Sequence, residues 1–411
     1  MHVMHLTDFY HPIIGGMERS VETLSRELIR LGHTVVVVTL QPGDLPEEEV
    51  VNGVRVVRVR SWSQRLTSLY ADAGRPFHPP APDPGALAAM RRVIRRERPD
   101  VLHSHGWLGY SCFPLQNARR GPGHVMTLHD YSMVCAKKTL LRSASGELCG
   151  GPGLLKCLGC APAQYGRLKG TAITAGLRAS RVLHDRADRY IAVSTAVAEG
   201  CRPGLPAGHD IAVIPSMVPN DLPALARATP RPAFLPAQDG YLMFVGALGP
   251  HKGLDVLLAA RRLMRHRPPL VLIGTPRADT PPVDDPGVVV TYNLPSADVM
   301  AAWLRSSVAV VPSVCAEALG LVAVEAMLAE RPVVASEVGG LRDVVRHGDT
   351  GLTVPPGDAA ALADALDRLL EDPELRHRLG QAGREHARRF EAAAVTPRIV
   401  EVYEDALHAR P

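Results

Sequence analysis

Short apolar runs alternate with amphipathic stretches along most of the chain, and this pattern predicts repeated strand–helix–strand units. Residues 3–6 read as a strand, and apolar residues at helical spacing between Met17 and Leu31 predict a helix that ends at Gly32. The β-branched run at 34–40 is typical of a strand buried on both faces. Two strands joined by such a helix must run parallel, so the chain is predicted to open with a β-α-β unit.

The same alternation predicts two α/β domains. Further strands of the first half are expected at 101–103, 125–128, 190–193 and 211–214. Six prolines between Pro215 and Pro236 then interrupt the pattern and read as a linker, after which the alternation restarts at 241–245. We therefore expect an α/β chain with two Rossmann-like, doubly wound parallel-sheet domains. The predicted divisions are 1–218, 219–391 and 392–411.

Composition narrows the class of protein. Apolar residues make up 46% and charged residues 21%, which is ordinary globular composition. The formal net charge of +4 is too small to indicate nucleic-acid binding, and aromatic residues at 4% disfavour base stacking, so no nucleic-acid partner is expected. No run approaches the ~18 apolar residues of a membrane span, and no signal segment precedes the first strand, which predicts a cytoplasmic protein.

One predicted helix is strongly basic and carries the arginines Arg91, Arg92, Arg95, Arg96 and Arg98. Such a face can bind an anionic membrane surface, which leaves peripheral contact at the inner face of the membrane open. A solvated helix face is the simpler interpretation.

Glycine and histidine residues follow the predicted strands of the first domain. Ligands of open parallel sheets bind beyond the carboxyl ends of the strands, so these residues are candidates for a site. Gly15 and Gly16 precede a helix and can bring backbone N–H groups to a phosphate, although a tight turn also accounts for them. His129 can hydrogen-bond a sugar hydroxyl, but a structural histidine is the alternative, and His103 and His105 compete for the role.

Charged residues follow the predicted strands of the second domain. Lys252 ends a glycine-rich loop ahead of a helix, where it can neutralise a diphosphate; an exposed lysine is the alternative. Glu317 follows a strand, and Glu325 lies in an apolar stretch of the next helix, where a hydroxylated ligand can supply the partner that a buried carboxylate needs. The backbone N–H groups at 320–322 favour phosphate oxygens. A chance spacing of the two glutamates is the alternative.

Three blocks of sequence carry a resemblance to a known family: TDFYHPIIGGMERSVETLSREL, FVGALGPHKGLDVLLAA and VPSVCAEALGLVAVEAMLAERPVVASEVGGLRDVV. With them the chain resembles the family 4 retaining glycosyltransferases of GT-B fold over nearly its whole length, and the last block contains the E-x7-E pattern. The resemblance implies sugar transfer from a UDP- or GDP-sugar to a saccharide, lipid-linked sugar or small natural product. It also implies retained anomeric configuration, no catalytic metal ion or other required cofactor, a cleft between the two domains, and a final helix that crosses back onto the first domain.

Carried over by position, the resemblance implies three catalytic residues. His129 would contact the donor sugar, Lys252 would stabilise the leaving diphosphate, and Glu317 would hold the sugar hydroxyls. Glu325 would hold the ribose hydroxyls, and Gly16 would approach the donor phosphate. The implied donor-binding residues are Gly15, Gly16, Gly246, Gly274, Tyr292, Asn293, Leu294, Leu319, Gly320, Leu321 and Glu325.

One position departs from the family pattern. The family usually has an arginine directly after the glycine that matches Gly246, and this chain has Ala247. Loss of one such charge-stabilising group can cost about 10²–10³ in rate. Either another cation replaces the arginine, or catalysis is slow, or the chain only binds its nucleotide. The candidate cations are Arg19, Lys137, Lys138 and Arg342.

Four cysteines form a C-x13-C-x7-C-x2-C pattern within a glycine-rich insertion at 135–160. They are Cys135, Cys149, Cys157 and Cys160. The closing C-x2-C suits half of a zinc site, and four thiolates suit tetrahedral zinc. An iron–sulfur cluster, disulfides and free thiols are the alternatives, with disulfides disfavoured in the cytoplasm. Cys112, Cys201 and Cys315 are expected to be isolated buried thiols.

Two other functions compete with sugar transfer. A catalytically weakened sugar-nucleotide-binding protein would account for Ala247. An NAD-dependent oxidoreductase would also use paired Rossmann-like domains, but the chain lacks the G-x-G-x-x-G fingerprint of such enzymes at its first strand–helix turn.

Overall fold

The computed structural model describes residues 1–13, 15–66, 78–116, 121–142 and 147–409. The chain divides into two compact units. The first comprises residues 1–217 and the segment from Ala392 onward, and the second comprises residues 218–391. Both are α/β units built on parallel sheet, which confirms the predicted fold class.

The first unit is built on one sheet of short apolar strands. Its strands are β1 (His2–Thr7), β2 (Thr34–Leu40), β3 (Glu48–Val51), β4 (Val54–Val59), β5 (Val101–Ser104), β6 (Gly123–Leu128), β7 (Arg189–Ala192) and β8 (Ile211–Val213). Among the described residues they follow the order β3-β4-β2-β1-β5-β6-β7-β8, and only the β3–β4 pair is antiparallel. Strands β1, β5 and β6 are almost wholly buried, as expected for a parallel sheet covered on both faces.

Helices cover this sheet and bury their apolar stripes on it. They are α1 (Gly16–Arg30), α2 (Pro84–Glu97), α3 (Leu154–Tyr165), α4 (Arg167–Ser180) and α5 (Thr195–Cys201). Helix α1 buries Val21, Leu24 and Leu28, which recur at the spacing of one helix face. Helix α2 begins with a proline directly after Asp83. The Asp83 carboxylate accepts the Ala86 N–H at 3.0 Å, which is typical of a capped helix start.

The second unit repeats the architecture with a smaller sheet. Its strands are β9 (Tyr241–Val245), β10 (Leu270–Ile273), β11 (Val288–Thr291), β12 (Ser306–Val311), β13 (Val333–Ser336) and β14 (Gly351–Val354). Its helices are α6 (Leu222–Ala228), α7 (Leu254–Leu263), α8 (Ser296–Trp303), α9 (Leu321–Leu328), α10 (Leu341–Val344), α11 (Ala359–Glu371) and α12 (Pro373–Ala387). All neighbouring strands run parallel, in the order β11-β10-β9-β12-β13-β14.

The proline-rich stretch is more than a linker. Residues 222–228 form α6, which packs against α8 inside the second unit and buries Leu222 and Ala226. The linker interpretation is therefore wrong for this part of the stretch. Proline at the second position of α6 lacks only an N–H that a helix start leaves unbonded in any case.

The chain ends in the first unit. The last helix, α13 (Ala392–His408), packs against α1 and β6 and buries Val395, Ile399 and Tyr403 in the same core as Val21 and Leu28. This confirms the prediction that the final helix returns to the first domain. Within the described ranges, every helix falls short of the length and hydrophobicity that a bilayer crossing requires.

Each sheet contains a point at which the order of strands reverses. In the first unit this point lies between β1 and β5, and in the second it lies between β9 and β12. Loops that follow these strands diverge to opposite faces of the sheet and leave a crevice at its carboxyl edge, where ligands of such folds bind. The loops after β1, β5, β9 and β12 are therefore the first places to look for a site.

Candidate functional site

A lysine and a glutamate meet at the reversal point of the second sheet. Lys252 follows β9 and Glu317 follows β12, and the lysine Nζ lies 2.7 Å from one carboxylate oxygen of Glu317 and 3.0 Å from the other. The Ser313 hydroxyl donates to the same carboxylate at 2.9 Å. The adjacency of β9 and β12 therefore joins two residues that stand 65 positions apart in the sequence.

This pair is ionised at neutral pH. Burial alone would raise the pKa of Glu317, but the charge of Lys252 and the hydrogen bonds from Lys252 and Ser313 outweigh it and hold that pKa below its ordinary value. Burial alone would lower the pKa of Lys252, and the charge of Glu317 reverses the shift, so the lysine pKa is raised. The pair thus offers a fixed positive charge beside a fixed hydrogen-bond acceptor.

Two glycines allow the loops to bring this pair together. Gly253 follows Lys252 with a φ of +73°, and a Cβ at this position would overlap the carbonyl oxygen of Pro312. Gly339, with a φ of +54°, lies against the backbone of Glu317, and a Cβ there would overlap its carbonyl oxygen. The left-handed backbone and the close approach both require residues without a side chain. The next N–H, of Gly340, donates to that Glu317 carbonyl at 2.7 Å.

The sequence-predicted phosphate cradle lies directly after Glu317. Leu319 is buried, Gly320 precedes α9, and Leu321 is its first residue, so backbone N–H groups at this helix start have no partner within the helix. Glu325 lies in the second turn of α9 and is half-buried in an otherwise apolar helix. The structure therefore places Glu317, the helix start and Glu325 in one continuous segment.

The residues predicted to bind the base lie along the carboxyl edge of the same sheet. The Gly246 N–H donates to the Ile273 carbonyl at 2.9 Å, and the Gly274 N–H donates to the Thr291 carbonyl at 2.9 Å, so the ends of β9, β10 and β11 stand side by side. Tyr292, which directly follows β11, is 54% exposed. The remaining predicted residues of this group, Asn293 and Leu294, follow it in the loop before α8.

A chain of histidines lies on the first sheet. His5 of β1 pairs in register with His103 of β5, so both side chains are on one face. The His5 Nδ1 lies 2.9 Å from the His105 Nε2, and the His105 Nδ1 lies 2.9 Å from the Nε2 of His129. His103 contacts the hydroxyls of Thr127 at 2.6 Å and Tyr403 at 2.7 Å.

Burial keeps these histidines neutral. It lowers the pKa of His5 to about 3 and the pKa of His129 to about 4, with the nearby charge of Asp130 opposing the shift at His129. Burial likewise lowers the pKa of His103 and His105 well below the ordinary value. His129 is half-buried, and its Nε2 is the nitrogen that contacts His105.

The glycines after β1 form the start of a helix. Gly15 is the N-cap of α1, and Gly16 is its first residue and is exposed. A Cβ at Gly15 would lie 2.6 Å from a carboxylate oxygen of Glu18, which is itself buried in the first turn. The contact at Gly15 is with the end of a flexible side chain, and a Cβ at Gly16 would meet no atom within 4 Å.

The four cations proposed as substitutes for the arginine absent at Ala247 have other contacts. Lys137 donates to the Leu141 carbonyl at 2.8 Å, and Lys138 lies over the Trp107 ring at 4.3 Å from its centre. Arg19 also has a partner. Arg342, on α10 directly after Gly339 and Gly340, donates to the Glu337 carbonyl. Among these four, Arg342 belongs to the unit that holds Lys252 and Glu317.

Two groups of residues in the first unit have the chemistry of metal ligands. Among the described residues, only His5, His103 and His105 have three candidate donor atoms within 4.8 Å of one another. These three histidines include no anionic ligand. A divalent ion would therefore bring an uncompensated charge into a buried face of the sheet, and hydrogen bonding between the histidines explains the cluster better. The second group is the four cysteines of the 135–160 segment, which form no disulfide and line one cavity. The other three cysteines are buried, as predicted.

Sequence reasoning missed two contributors to these clusters. Ser313 was not singled out, although it lies four residues before Glu317 at the end of the same strand. His5 was also missed, because one histidine within a short strand does not show which side chains it meets across the sheet. His103 lies on β5 and His105 directly follows its end, so their spacing of two could have indicated side chains on the same side of the extended backbone.

Comparisons with known proteins place the chain in a family. A model described as "Glycosyltransferase Family 4" matches residues 14–222, and one described as "Glycosyl transferases group 1" matches residues 227–386. The D-inositol 3-phosphate glycosyltransferase of Thermobispora bispora is 31% identical over 426 residues, which cover 96% of this chain and 90% of that relative.

Two solved structures establish the likeness of fold. Sucrose-phosphate synthase from Thermosynechococcus elongatus superposes with a TM-score of 0.74 at 22% identity and covers 99% of both chains. Anabaena HepE in complex with UDP and glucose gives a TM-score of 0.66 at 17% identity over 98% of this chain and 99% of its own. The chain therefore belongs to glycosyltransferase family 4 and has the GT-B fold.

Proposed function

We propose that this protein is a retaining glycosyltransferase that moves a sugar from a nucleotide diphosphate sugar to a hydroxyl acceptor without a catalytic metal ion. One observation carries the proposal: the ionised Lys252–Glu317 pair at the reversal point of the second sheet. A positive charge held beside the start of α9 suits a diphosphate, and a carboxylate beside it suits sugar hydroxyls.

The proposed reaction develops negative charge on the leaving diphosphate. The bond between the anomeric carbon and the phosphate oxygen breaks while the acceptor oxygen bonds to the same face of that carbon. The acceptor hydroxyl gives its proton to the departing phosphate oxygen, so no protein nucleophile is needed. Lys252 and the backbone N–H groups at Gly320 and Leu321 compensate the charge of the leaving group, and Glu317 orients the sugar.

The remaining site assignments belong to the same proposal. Glu325 holds the ribose hydroxyls, and the base lies against the backbone near Gly246, Gly274 and residues 292–294. For the first unit, the proposal assigns His129 to recognition of the donor sugar, and it assigns Gly15 and Gly16, at the start of α1, to recognition of the donor phosphate.

The donor and acceptor classes rest on the relatives. Anabaena HepE was solved with UDP and glucose, which supports UDP-sugars as the first donors to assay. The Thermobispora relative is named D-inositol 3-phosphate glycosyltransferase, which makes inositol 3-phosphate the first acceptor to assay. Saccharides, lipid-linked sugars and small natural products complete the acceptor panel, and GDP-sugars complete the donor panel.

One alternative retains support from a specific observation. Ala247 stands where the family usually has arginine, which favours a weakened enzyme or a pure sugar-nucleotide-binding protein. Membership of a glycosyltransferase family removes the support for an NAD-dependent oxidoreductase.

The test is a transfer and donor-hydrolysis assay of the full chain against these panels. We expect turnover with at least one donor, and we expect Lys252→Met to lower it about 10²–10³-fold. The matched control is Arg262→Met, which removes an exposed cation from α7 of the same unit and should retain turnover. Tight nucleotide binding without turnover would establish the binding protein instead, and unchanged turnover in Lys252→Met would remove this pair from the mechanism.

A further inference from the structure

Four cysteines line one cavity of about 30 Å³ in the first unit. None of the four forms a disulfide, and each is half-buried. We propose that Cys135, Cys149, Cys157 and Cys160 bind one zinc ion as a structural tetrathiolate site. The proposal is independent of the transferase activity, because none of its ligands belongs to the proposed catalytic residues.

Separate local structures bring the four thiols to this cavity. Cys135 ends a turn in which its N–H donates to the Tyr131 carbonyl at 2.8 Å. The N–H of Cys149 donates to the Leu140 carbonyl at 2.7 Å, beside an antiparallel bridge between Leu141 and Leu148. Cys157 and Cys160 are three residues apart on α3 and therefore share a helix face. A turn, a bridged loop and a helix thus each supply ligands.

Backbone polar groups contact two of the sulfurs. The Gly153 N–H lies 3.5 Å from the Cys157 Sγ, and the Cys149 Sγ lies 3.3 Å from the Gly151 carbonyl oxygen. Both cysteines line the cavity together with Cys135 and Cys160.

The charges around the cavity suit an anionic metal centre. Zinc with four thiolates carries a net charge of −2, because four thiols release their protons on binding. Lys137, Arg142 and Lys156 line the cavity, and its described lining includes no acidic residue. Soft thiolate ligands in a tetrahedral set favour zinc over harder divalent ions.

Helix α3 contributes less to the apolar core than the turn at Cys135, where Val134, Ala136 and Leu140 are buried. Helix α3 fully buries only Ala161 among its own residues, while Leu154 is 48% exposed and Leu155 is 85% exposed. A metal centre would fix this helix to the turn at Cys135, as structural zinc does in domains too small for a core. Among the described residues, no three of these sulfurs lie within 4.8 Å of one another, so metal binding would draw them together.

The test measures metal in the full chain purified without chelators from zinc-replete cells. We expect about one zinc per chain, and X-ray absorption should show four sulfur neighbours at about 2.3 Å. Cys160→Ser should lose the zinc, whereas Cys201→Ala, which alters a buried thiol outside the cluster, should retain it. Hydrogen exchange over 135–160 should accelerate when a chelator removes the metal.

Three results would overturn the zinc proposal. One is metal-free protein with four thiols that react with an alkylating reagent. Another is iron with acid-labile sulfide, and the third is a disulfide among the four cysteines by mass spectrometry. The wild-type measurements decide the question even if Cys160→Ser fails to fold, and transferase activity has no part in them.

Discussion

The Lys252–Glu317 pair should stabilise the second unit by a coupling that a double-mutant cycle can measure. The cycle uses Lys252→Met, Glu317→Gln and the double variant. Two unit charges about 4 Å apart attract by about 4 kcal/mol at an effective dielectric constant of about 20. The side chains of Lys252 and Glu317 keep 28% and 13% of their exposure, so water screens part of this attraction. We expect a coupling free energy of about 1–3 kcal/mol.

The single variants should differ in a defined way. Lys252→Met leaves a mostly buried carboxylate with Ser313 as its hydrogen-bond donor, and loss of one partner from a buried pair costs up to about 3–5 kcal/mol. Glu317→Gln retains an oxygen that accepts from the lysine and should cost less. Lys252→Met should therefore lower the free energy of unfolding more than Glu317→Gln does.

One tryptophan makes this measurement possible in a chain of two units. Trp303 is fully buried in the second unit, whereas Trp62 and Trp107 belong to the first. In a Trp62→Phe, Trp107→Phe background, the fluorescence of Trp303 during urea unfolding reports the second unit alone. This separation matters because a two-unit chain need not unfold in one step.

The pH dependence of the coupling gives a second check. The pKa of Glu317 is lowered, so its contribution is present above the ordinary value of 4.5 and is lost as pH falls through the folded value. The pKa of Lys252 is raised, so its contribution is present below the ordinary value of 10.5 and is lost as pH rises through the folded value. The coupling should be constant between about pH 5 and pH 10. The reasoning is refuted if the free-energy changes of the two single variants sum to that of the double variant within about 0.5 kcal/mol across this range.

Two further predictions concern residues around the proposed reaction. Ala247→Arg should raise kcat about tenfold or more, because it restores a charge beside the leaving group; an unchanged kcat would mean that another cation already acts there. Nitrogen-15 NMR should show His129 protonated at Nδ1. Each neutral imidazole of the His5–His105–His129 cluster has one N–H. In the proposed order, His5 donates to His105 and His105 donates to His129, so the Nε2 of His5, which has no hydrogen-bond partner, carries no proton. A proton on the His129 Nε2 would contradict this order.

The α/β architecture could be predicted because parallel strands buried on both faces leave continuous apolar runs. Residues 34–40 are such a run, and they form β2. Strand β3 could not be predicted in this way, since Glu48 and Glu49 make it polar at an edge of the sheet. Helix α6 was obscured by prolines, whose tolerance at a helix start depends on packing that the sequence does not display.

The individual residues of the site could be predicted from the sequence, but the contacts between them could not. Lys252 and Glu317 each follow a strand, which indicated the sheet edge where they lie. Their direct contact depends on the adjacency of β9 and β12, a property of strand order and not of either loop. The spacing of the cysteines likewise indicated metal chemistry, whereas their arrangement around one cavity depends on the fold of the segment.

The return of α13 to the first unit has an engineering consequence. Residues 218–391 begin and end side by side, because the Val218 N–H donates to the Phe390 carbonyl at 2.9 Å and Val218 bridges to Glu391. A segment whose two ends are neighbours can be removed or exchanged without changing the path of the chain in the first unit. Truncation from the carboxyl terminus, in contrast, would expose the apolar core of the first unit, since Tyr403 and Ile399 are part of it.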